Sequence, residues 1–542
     1  MEGGARVRRY LYASRIPILS FTFVFGFSVL RIIRSWYTLS SIIQTYGEDM
    51  DQFNQQPSRH FWEQTDNPTC FHLDRICHGN DEWFYDSSNV NLAASHRLHQ
   101  PTISYSDKKV PNTPDKRYYF NASSAPRSNI NTTMCPYSST PYHLVVQSDY
   151  NDMIGEFYSR TVRGLNEWMR DFPPQSDDEL QLYIHFTSEG RQTLFEGHRL
   201  FLGALPQNDK VDSFISLIQD ERCQCLKKLI FCGYKHQRDN QTFHTVGDIF
   251  HQQTYKSCDR RGFRKGNKCT AYNNLRQDLL ARYEKKDPML QQKCRDYRRQ
   301  ILFQNGVASE SIGNVDEWRI VGLTDRKSRR VWLNIDDAIN SCEQFLRRKV
   351  MCIKVNVEEA DTVEQQLLMH MSLNALVGIH GAQLTHAVLL PEERFVLEIL
   401  PWIPRNITDW GDWTDRVSSP TPLGEIFHNT NLHHVGYRLG RESVPLCEHL
   451  EWADKDLKAC LLNETNGNDD KFNWETRDFN VEEKVVTTFI SSFLLNSIPN
   501  CKRMQEGAEE SGFVLYNAFC SKKRNKMKRA KHYFLHGQDL LT

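Results

Sequence analysis

The clearest pattern of secondary structure in the chain lies in Asp361–Pro401, which reads DTVEQQLLMHMSLNALVGIHGAQLTHAVLLPEERFVLEILP. Apolar side chains recur every fourth residue from Val363 to Ala375, and this spacing predicts one apolar face along a helix. Asp361 followed by Glu364 is a candidate capping box at the start of that helix. The stretch therefore opens with a predicted amphipathic helix.

Two continuous apolar runs follow the helix. Residues 375–379 and 395–400 predict two buried strands, and a second helical segment over 382–389 lies between them. Helix, strand, loop, helix and strand in this order are typical of a parallel sheet with crossover helices. The predicted fold class is therefore α/β.

The loop after the first of these strands is a candidate ligand site. In parallel α/β sheets, ligands bind beyond the carboxyl ends of strands, where the next helix offers unpaired backbone N–H groups. Gly378 and Gly381 flank this strand end and would let a bulky anion approach the backbone, with His380, Thr385 and His386 beside it. The pattern predicts a phosphate or nucleotide site; the alternative is a plain strand–helix turn with two structural histidines.

These residues also carry a family resemblance. Residues 378–386 read GIHGAQLTH and are preceded by Glu364-Gln365, and together they resemble the signature of glycosyltransferase family 61. That family includes the EGF-domain O-GlcNAc transferase, the protein O-mannose GlcNAc transferase and the plant core xylosyltransferase of N-glycans. The family's usual signature has glycine where this chain has Gln383.

The resemblance implies both a fold and an activity. The fold is GT-B-like, with two facing Rossmann-like halves behind an N-terminal signal-anchor helix and a stem. The activity is inverting transfer of a sugar, xylose or GlcNAc, from a UDP-sugar donor to a glycan or glycoprotein acceptor. The first-half pattern, with HLVVQSDYN at 143–151, is slightly nearer the xylosyltransferases.

The amino terminus predicts a membrane anchor. Residues 16–30, IPILSFTFVFGFSVL, form an uncharged apolar run between Arg15 and Arg31. Arginines precede the run and acidic residues follow it, so the positive-inside rule places the amino terminus in the cytoplasm and the rest in the lumen. We expect a single-pass type II protein of the Golgi or ER membrane; a cleaved signal peptide is the alternative.

Composition sets broad limits on function. The chain has 542 residues, of which 39% are hydrophobic and 25% charged, as in ordinary globular proteins. Its net charge of zero gives no global electrostatic argument for nucleic-acid binding. Fifteen cysteines in a lumenal chain would mostly pair, and the odd number leaves at least one thiol outside the intramolecular pairs.

Alternating helix and strand patterns on both sides of the charged helical stretch 273–299 divide the chain. The predicted divisions are a cytoplasmic tail (1–15), an anchor (16–36), a stem with a disulfide-tied patch around Cys70 and Cys77 (37–134), an acceptor-side half (135–300), a nucleotide-sugar half (301–420), a closing segment (421–500) and a basic tail (501–542).

Cations after a predicted strand complete the donor site. Arg326 and Arg330 lie in the loop after strand 319–323, where arginine can bind phosphate with two hydrogen bonds; a solvated basic loop is the alternative. The resemblance assigns these two arginines to the donor pyrophosphate, so no divalent metal is required. The predicted donor-binding residues are Arg326, Arg330, Glu364, Gly378, His380, Gly381, Ala382, Thr385, His386 and Glu398, with the two glutamates bonding the ribose or base.

The first half departs from the family at one turn. The family carries Asn-x-x-His there, and this chain has Asn151-Asp-Met-Ile-Gly155, with glycine near the histidine position. Asp152 and Glu156 are therefore the candidates for the general base, and His380 is the third predicted catalytic residue. Two readings stay open: both carboxylates favour a helix N-terminus, or the chain is a non-catalytic lumenal glycan-binding or scaffolding protein that kept the fold.

Overall fold

Apolar runs form the strands of two large sheets in this computed structural model. The structure describes residues 70–80, 82–85, 102–104, 117–119, 131, 134–148, 153–171, 179–186, 193–206, 208–232, 271–327, 330–402, 422–427, 430–443, 478–495 and 501–517. All of them lie in one compact unit, Thr65–Thr542. The strands are β1 Cys70–Gly79, β2 Glu82–Tyr85, β3 Thr102–Ser104, β4 Arg117–Tyr119, β5 Tyr142–Ser148, β6 Leu180–Phe186, β7 Val211–Ser213, β8 Gln224–Cys232, β9 Arg319–Thr324, β10 Val350–Val355, β11 Ala375–Ile379, β12 Phe395–Leu400, β13 His433–Arg438 and β14 Val514–Asn517.

The first sheet has a Rossmann-like centre. Its described strands lie in the order β2-β1-β8-β5-β6-β7. The last four are parallel, and β1 and β2 pair in antiparallel fashion at one side. Taken along the chain, the parallel strands have the spatial order 3-2-1-4, the order of a dinucleotide-binding half.

The second sheet follows the other common doubly wound order. Its described strands lie in the order β10-β9-β11-β12-β13-β14. The first five are parallel and β14 is antiparallel to β13. Taken along the chain, the parallel strands read 2-1-3-4-5. The protein is therefore a mixed α/β fold with two largely parallel sheets, as the sequence predicts at that level.

Helices connect and cover these strands. The α-helices of the described residues are Ile154–Glu156, Arg163–Asp171, Glu196–Leu202, Phe214–Ile218, Ala271–Lys286, Leu290–Gln304, Ser309–Ile312, Ile335–Ser341, Val363–Met371, Pro422–Phe427, Glu483–Phe489 and Cys501–Ser511. Tighter 3-10 turns span Asn208–Lys210, Val315–Glu317, Cys342–Arg348, Val357–Glu359, Ala382–Leu389 and Arg441–Ser443, and π-helical turns span Phe157–Val162 and Ile490–Leu494.

Helix Val363–Met371, the first helix of the stretch 361–401, begins one residue later than the proposed capping box predicts. Thr362 is the N-cap, and its hydroxyl accepts a hydrogen bond from Gln365 N at 3.1 Å. The Gln365 side chain accepts in turn from Asp361 N at 2.9 Å. The capping box with Asp361 and Glu364 is therefore wrong by one position, because a threonine hydroxyl can cap the helix as well as a carboxylate.

Part of the predicted stem belongs to the first sheet. Strands β1 and β2 lie within 37–134, yet β1 pairs along its length with β8. A disulfide joins Cys77 to Cys225, and a second joins Cys135 to Cys223. Residues 70–85 therefore cover the edge of β8 that would otherwise be open, so the first half begins earlier than predicted.

The second half extends beyond its predicted end. Strand β13 lies in the predicted closing segment, 421–500, and pairs with β12. Helix Cys501–Ser511 and β14, both inside the predicted basic tail, join the same sheet and its core. The reason is packing: Phe489, Met504 and Phe513 share one buried cluster with the second sheet.

The predicted anchor, 16–36, lies outside the described residues. Within the ranges that the structure describes, no helix combines the length and the apolar character needed to cross a membrane.

Candidate functional site

The second sheet has a topological switch point between β9 and β11. These two strands are neighbours, and β10 pairs with the far side of β9, so the chain leaves their carboxyl ends in opposite directions. Such a point opens a crevice at the sheet edge where ligands bind. Arg326 follows β9, and His380 and Gly381 follow β11. The edge thus brings together residues 54 positions apart that the sequence assigns to the donor.

Gly381 and two arginines form the centre of this edge. The backbone at Gly381 is extended, and a Cβ placed there would overlap Nη1 of Arg326 and lie 3.4 Å from Cζ of Arg330. Both guanidinium groups therefore lie beside a bare stretch of backbone. Both arginines are half-buried, with Nε of each shielded from solvent, so their charges lie against the loop. This arrangement suits an anion with several oxygens, such as a diphosphate.

Gly378 has a role that the sequence did not indicate. It lies inside β11 and is buried, and a Cβ there would overlap the Thr324 hydroxyl on β9. Glycine is thus needed for the close fit of two strands. The structure thus gives Gly378 a packing role inside the sheet, and its predicted role beside a bound donor stays a prediction.

Glu398 is enclosed below the same edge. This residue of β12 has no exposed side-chain surface, and its two carboxylate oxygens accept hydrogen bonds from His380 Nδ1 and from His434 Nε2, the latter at 2.8 Å. Burial by itself raises the pKa of Glu398, but the two histidine hydrogen bonds outweigh burial and hold the pKa at about 2. Glu398 therefore holds His380 in place, and its contact with a ribose or base stays a prediction.

Glu364 also has a partner that the sequence did not indicate. It lies on the first turn of helix Val363–Met371, and its carboxylate binds Lys293 Nζ at 2.7 Å on an exposed surface. The helix N-terminus itself is contacted by the first half, since Glu196 accepts a hydrogen bond from Val363 N at 3.1 Å. Glu364 therefore belongs to a surface ion pair in this structure, and its contact with the donor stays a prediction.

His386 and Thr385 lie at the boundary between the halves. The His386 ring stacks on His370 with ring centroids 5.0 Å apart, and Phe201 of the first half packs against it. Burial lowers the pKa of His386 to about 3, with a further contribution from the charge of His370. His386 is thus a buried neutral packing group, the alternative that the sequence left open.

Gly155 contacts the opposite side of the signature loop, residues 378–386. A Cβ at Gly155 would lie 2.8 Å from the Thr385 hydroxyl and 3.7 Å from Cα of Ala382. Thr385 is fully buried, and its hydroxyl has no hydrogen-bond partner among the described residues. The turn where the family signature departs therefore touches the signature loop itself.

One of the two predicted base candidates, Glu156, lies on the first-half side of this contact. Asp152 is outside the described residues. Glu156 is partly exposed, and its carboxylate accepts a hydrogen bond from Arg160 Nε at 2.7 Å. The π-helical turn Phe157–Val162 follows directly, a rare conformation that is frequent at functional sites.

Three functional positions were missed by reasoning from the sequence. His434 was not singled out, although a pair of histidines opening a buried strand is an unusual signal. Glu196 and Arg276 join the halves, the latter by donating to Leu390 O and Asn431 Oδ1 from helix Ala271–Lys286. Neither has a local pattern that marks it, because each partner lies more than 100 residues away.

Comparison with known proteins gives two distant relatives, both from Oryza sativa subsp. japonica. The chain is 31% identical over 126 residues to the alpha-1,3-arabinosyltransferase XAT3 and 26% identical over 123 residues to the alpha-1,3-arabinosyltransferase XAT2. The matched parts make up 23% and 22% of this chain but only 20% and 18% of the relatives. No family model matches the chain. The resemblance to glycosyltransferases is confirmed at that general level.

Proposed function

We propose that this protein is a glycosyltransferase whose nucleotide-sugar donor binds at the carboxyl edge of the second sheet. The observation that carries the proposal is the meeting of Arg326, Arg330 and the bare backbone at Gly381 beside the switch point of that sheet. Fixed cations beside backbone that carries no side chain, at a strand end, are features that bind phosphate groups.

The donor is a UDP-sugar in this proposal. Arg326 and Arg330 neutralise its diphosphate, and His380 with the Gly381–Ala382 backbone contacts the same group. Because two guanidinium groups supply the positive charge, transfer needs no divalent metal. The two relatives are named as arabinosyltransferases, which favours a pentose such as xylose or arabinose over GlcNAc as the transferred sugar.

The acceptor approaches from the first half. Gly155 and Phe201 of the first half lie against the signature loop, which supports a GT-B-like pair of halves with the sugar between them. An inverting transfer needs one base for the acceptor hydroxyl, and Asp152 and Glu156 are the carboxylates offered there. The acceptor is a glycan or glycoprotein, and the protein is anchored by residues 16–36 in the Golgi or ER membrane with this region in the lumen.

One observation favours a second candidate function. Glu156 is already paired with Arg160, and glycine occupies position 155, so the described part of this turn offers one carboxylate, already engaged, where a base is needed. A lumenal protein that binds a nucleotide or glycan without transferring a sugar is therefore the alternative.

Calorimetry and a transfer assay separate the two functions. The lumenal region should bind UDP, and it should transfer sugar from one of UDP-xylose, UDP-arabinose or UDP-GlcNAc to an N-glycan, O-mannosyl or EGF-domain acceptor, with or without EDTA. UDP binding without transfer in any combination supports the non-catalytic function. Absence of UDP binding contradicts both the donor site and the proposed activity.

A further inference from the structure

Asn131 lies in a surface turn that precedes the central strands of the first sheet. The residue is exposed, and its carbonyl oxygen accepts a hydrogen bond from Met134 N at 3.0 Å, the spacing of a β-turn. Residues 131–133 read NTT, the Asn-x-Ser/Thr triplet that accepts N-linked glycans in secreted proteins. We propose that Asn131 carries an N-linked glycan, attached as the chain enters the lumen. This inference rests on the lumenal location in the proposed function and adds a modification site to it.

Exposure distinguishes this triplet from the bare sequence pattern, which also arises by chance. The chain has five such triplets, which begin at Asn121, Asn131, Asn240, Asn406 and Asn463. All but Asn131 lie outside the described residues. Next to Asn131, Met134 keeps 76% of its surface exposed and Tyr137 keeps 41%. The segment is therefore on the surface, where a bulky, hydrated glycan can be carried.

Paired cysteines in both halves favour the compartment in which such glycans are added. Cys135, four residues after Asn131, is bonded to Cys223 with the two Cα atoms 4.8 Å apart, and Cys342 is bonded to Cys352 with the Cα atoms 6.0 Å apart. Both separations lie in the usual range for disulfides. Disulfides form and persist in oxidising compartments such as the ER lumen. The disulfides and the triplet therefore favour the same location.

The order of synthesis leaves Asn131 accessible to the modifying enzyme. Its neighbour Cys135 pairs with a cysteine 88 residues further along the chain. At about 5–20 residues per second, that length of chain takes roughly 4–18 seconds to synthesise. Asn131 therefore reaches the lumen well before the disulfide and strand β8 can form. The contacts of Asn131 in the folded protein do not compete with its modification.

The glycan site lies at the opposite end of the first sheet from its carboxyl edge. Tyr137 pairs with Cys225 at the amino end of β8, beside the disulfide between Cys135 and Cys223. β8 is parallel to β5, so the carboxyl ends of both strands lie at the edge where ligands bind in such sheets. The nine residues of β8 separate the two ends by roughly 26 Å at about 3.3 Å per residue. A glycan on Asn131 is therefore attached away from the proposed cleft.

The protein is the acceptor in this modification. The Asn131 amide nitrogen forms a bond to the anomeric carbon of a lipid-diphosphate oligosaccharide, and the bond from that carbon to the phosphate oxygen breaks. The electron pair leaves with the lipid diphosphate, and one amide proton is released. The cell supplies the enzyme and the oligosaccharide, so the proposed UDP-sugar site of this protein takes no part.

Mass spectrometry of the full chain, expressed in a eukaryotic cell with a secretory pathway, tests the site. Trypsin cuts after Arg127 and Arg160, and the peptide between them holds the Asn131 triplet and none of the other four. Peptide N-glycosidase converts a glycosylated asparagine to aspartate, which changes the mass of this peptide, and untreated protein is the blank for deamidation. The variants are Asn131→Gln and Thr133→Ala, with Thr133→Ser and Asn129→Gln as matched controls.

We expect the enzyme-dependent mass change in the wild-type peptide. Asn131→Gln and Thr133→Ala should both abolish it, because the first removes the acceptor amide and the second removes the hydroxyl that the triplet requires. Thr133→Ser and Asn129→Gln should retain it. UDP affinity and the transfer rate of Asn131→Gln should stay within about twofold of the wild type, as for a surface substitution away from a ligand site.

The contradicting results are distinct. An unmodified peptide from a protein that carries a glycan at another triplet overturns the Asn131 site and leaves the lumenal location and the proposed function standing. A mass change that persists in Thr133→Ala overturns the site as well. A protein without a glycan at any of the five triplets overturns the site together with the lumenal location, while UDP binding tests the donor site separately. A larger loss of UDP affinity in Asn131→Gln overturns the placement of the glycan away from the cleft.

Discussion

The carboxyl edges of the two sheets differ in what the described residues present there. At the second sheet, two guanidinium groups and His380 converge on the bare backbone of Gly381. At the first sheet, the described carboxylate, Glu156, is held by Arg160, and apolar groups such as Met153 and Ile154 flank the turn. Among the described residues, the second edge has two guanidinium groups beside the Gly381 backbone, whereas the cation Arg160 near the first edge is paired with a carboxylate.

This difference indicates where each half acts in the proposed reaction. A diphosphate needs fixed cations, which arginines after a strand supply at little conformational cost. An acceptor hydroxyl needs one carboxylate near it and shape around the sugar, which needs no charged cluster. The asymmetry between the edges therefore agrees with a donor half and an acceptor half.

The largest effect should come from breaking the charged edge. Changing both Arg326 and Arg330 to Ala removes two charged hydrogen-bond donors worth about 1.5–3 kcal/mol each. We expect UDP affinity to fall by roughly 100-fold or more. Calorimetry with UDP measures this loss, and the control is Arg295→Ala, which removes an exposed partner of Asp316 instead. Equal affinity of the double variant and the control would show that the diphosphate binds elsewhere.

The next largest effect should come from the carboxyl edge of the first sheet. It should change the rate of sugar transfer and leave UDP affinity unchanged. Glu156→Gln removes a proton acceptor, and loss of a general base lowers rates by about 100-fold or more. UDP affinity should stay unchanged because Glu156 pairs with Arg160 on the first half. Transfer rates of this variant, of Asp152→Asn and of the exposed control Glu221→Gln measure it. Full activity in both acidic variants would place the base outside this turn.

The sequence predicts the strands of the second half closely where the residues of a strand are buried without interruption. Strands β11 and β12 begin and end at the predicted residues, because an interior parallel strand is apolar on both faces and reads as one unbroken run. Arg326 and Gly381 each follow a strand of this parallel sheet, and the family resemblance assigned both to one donor site. Short-range patterns alone left a solvated basic loop open for Arg326.

Long-range partners escaped the same reasoning. β1 reads CFHLDRICHG, in which polar residues interrupt the apolar ones and Arg75 adopts a positive φ of 50°, so no clear alternation marks it as a strand. The role of Glu398 depends on His434, 36 positions further on, and nothing local indicates that contact. Such contacts are set by strand order, which a pattern of single residues does not contain.

Both halves also contain buried neutral histidines, and acid should test them. Burial lowers the pKa of His185 in the first half and of His370 in the second to about 4, below the unfolded value of 6.5. The unfolded chain therefore binds more protons between about pH 4 and 6.5, and folding stability falls as pH drops through that range. Each histidine should cost about 2 kcal/mol between pH 7 and pH 5.

Urea unfolding at both pH values of the wild type, His185→Gln and His370→Gln measures this cost. Each variant should lose about 2 kcal/mol less than the wild type on acidification. If only one variant does so, the half that contains that histidine limits the stability of the fold in acid. Identical pH dependence in all three proteins would contradict the burial of both neutral rings.

The smallest expected effect is a difference in UDP affinity between alanine variants of two glycines. Gly381 lies in the signature loop, and Gly155 packs against it. Gly381→Ala would push its Cβ into the Arg326 guanidinium, the flexible end of a side chain, so the fold should survive while the cation is displaced. We expect UDP affinity to fall about tenfold, the loss of roughly one charged hydrogen bond. Gly155→Ala meets the Thr385 hydroxyl at 2.8 Å but no cation, so UDP affinity should change by less than about twofold. Calorimetry with melting curves compares the pair. Equal losses of UDP affinity in the two variants would mean that either change displaces the whole loop. The arginines at the second edge would then not account for the difference between the halves.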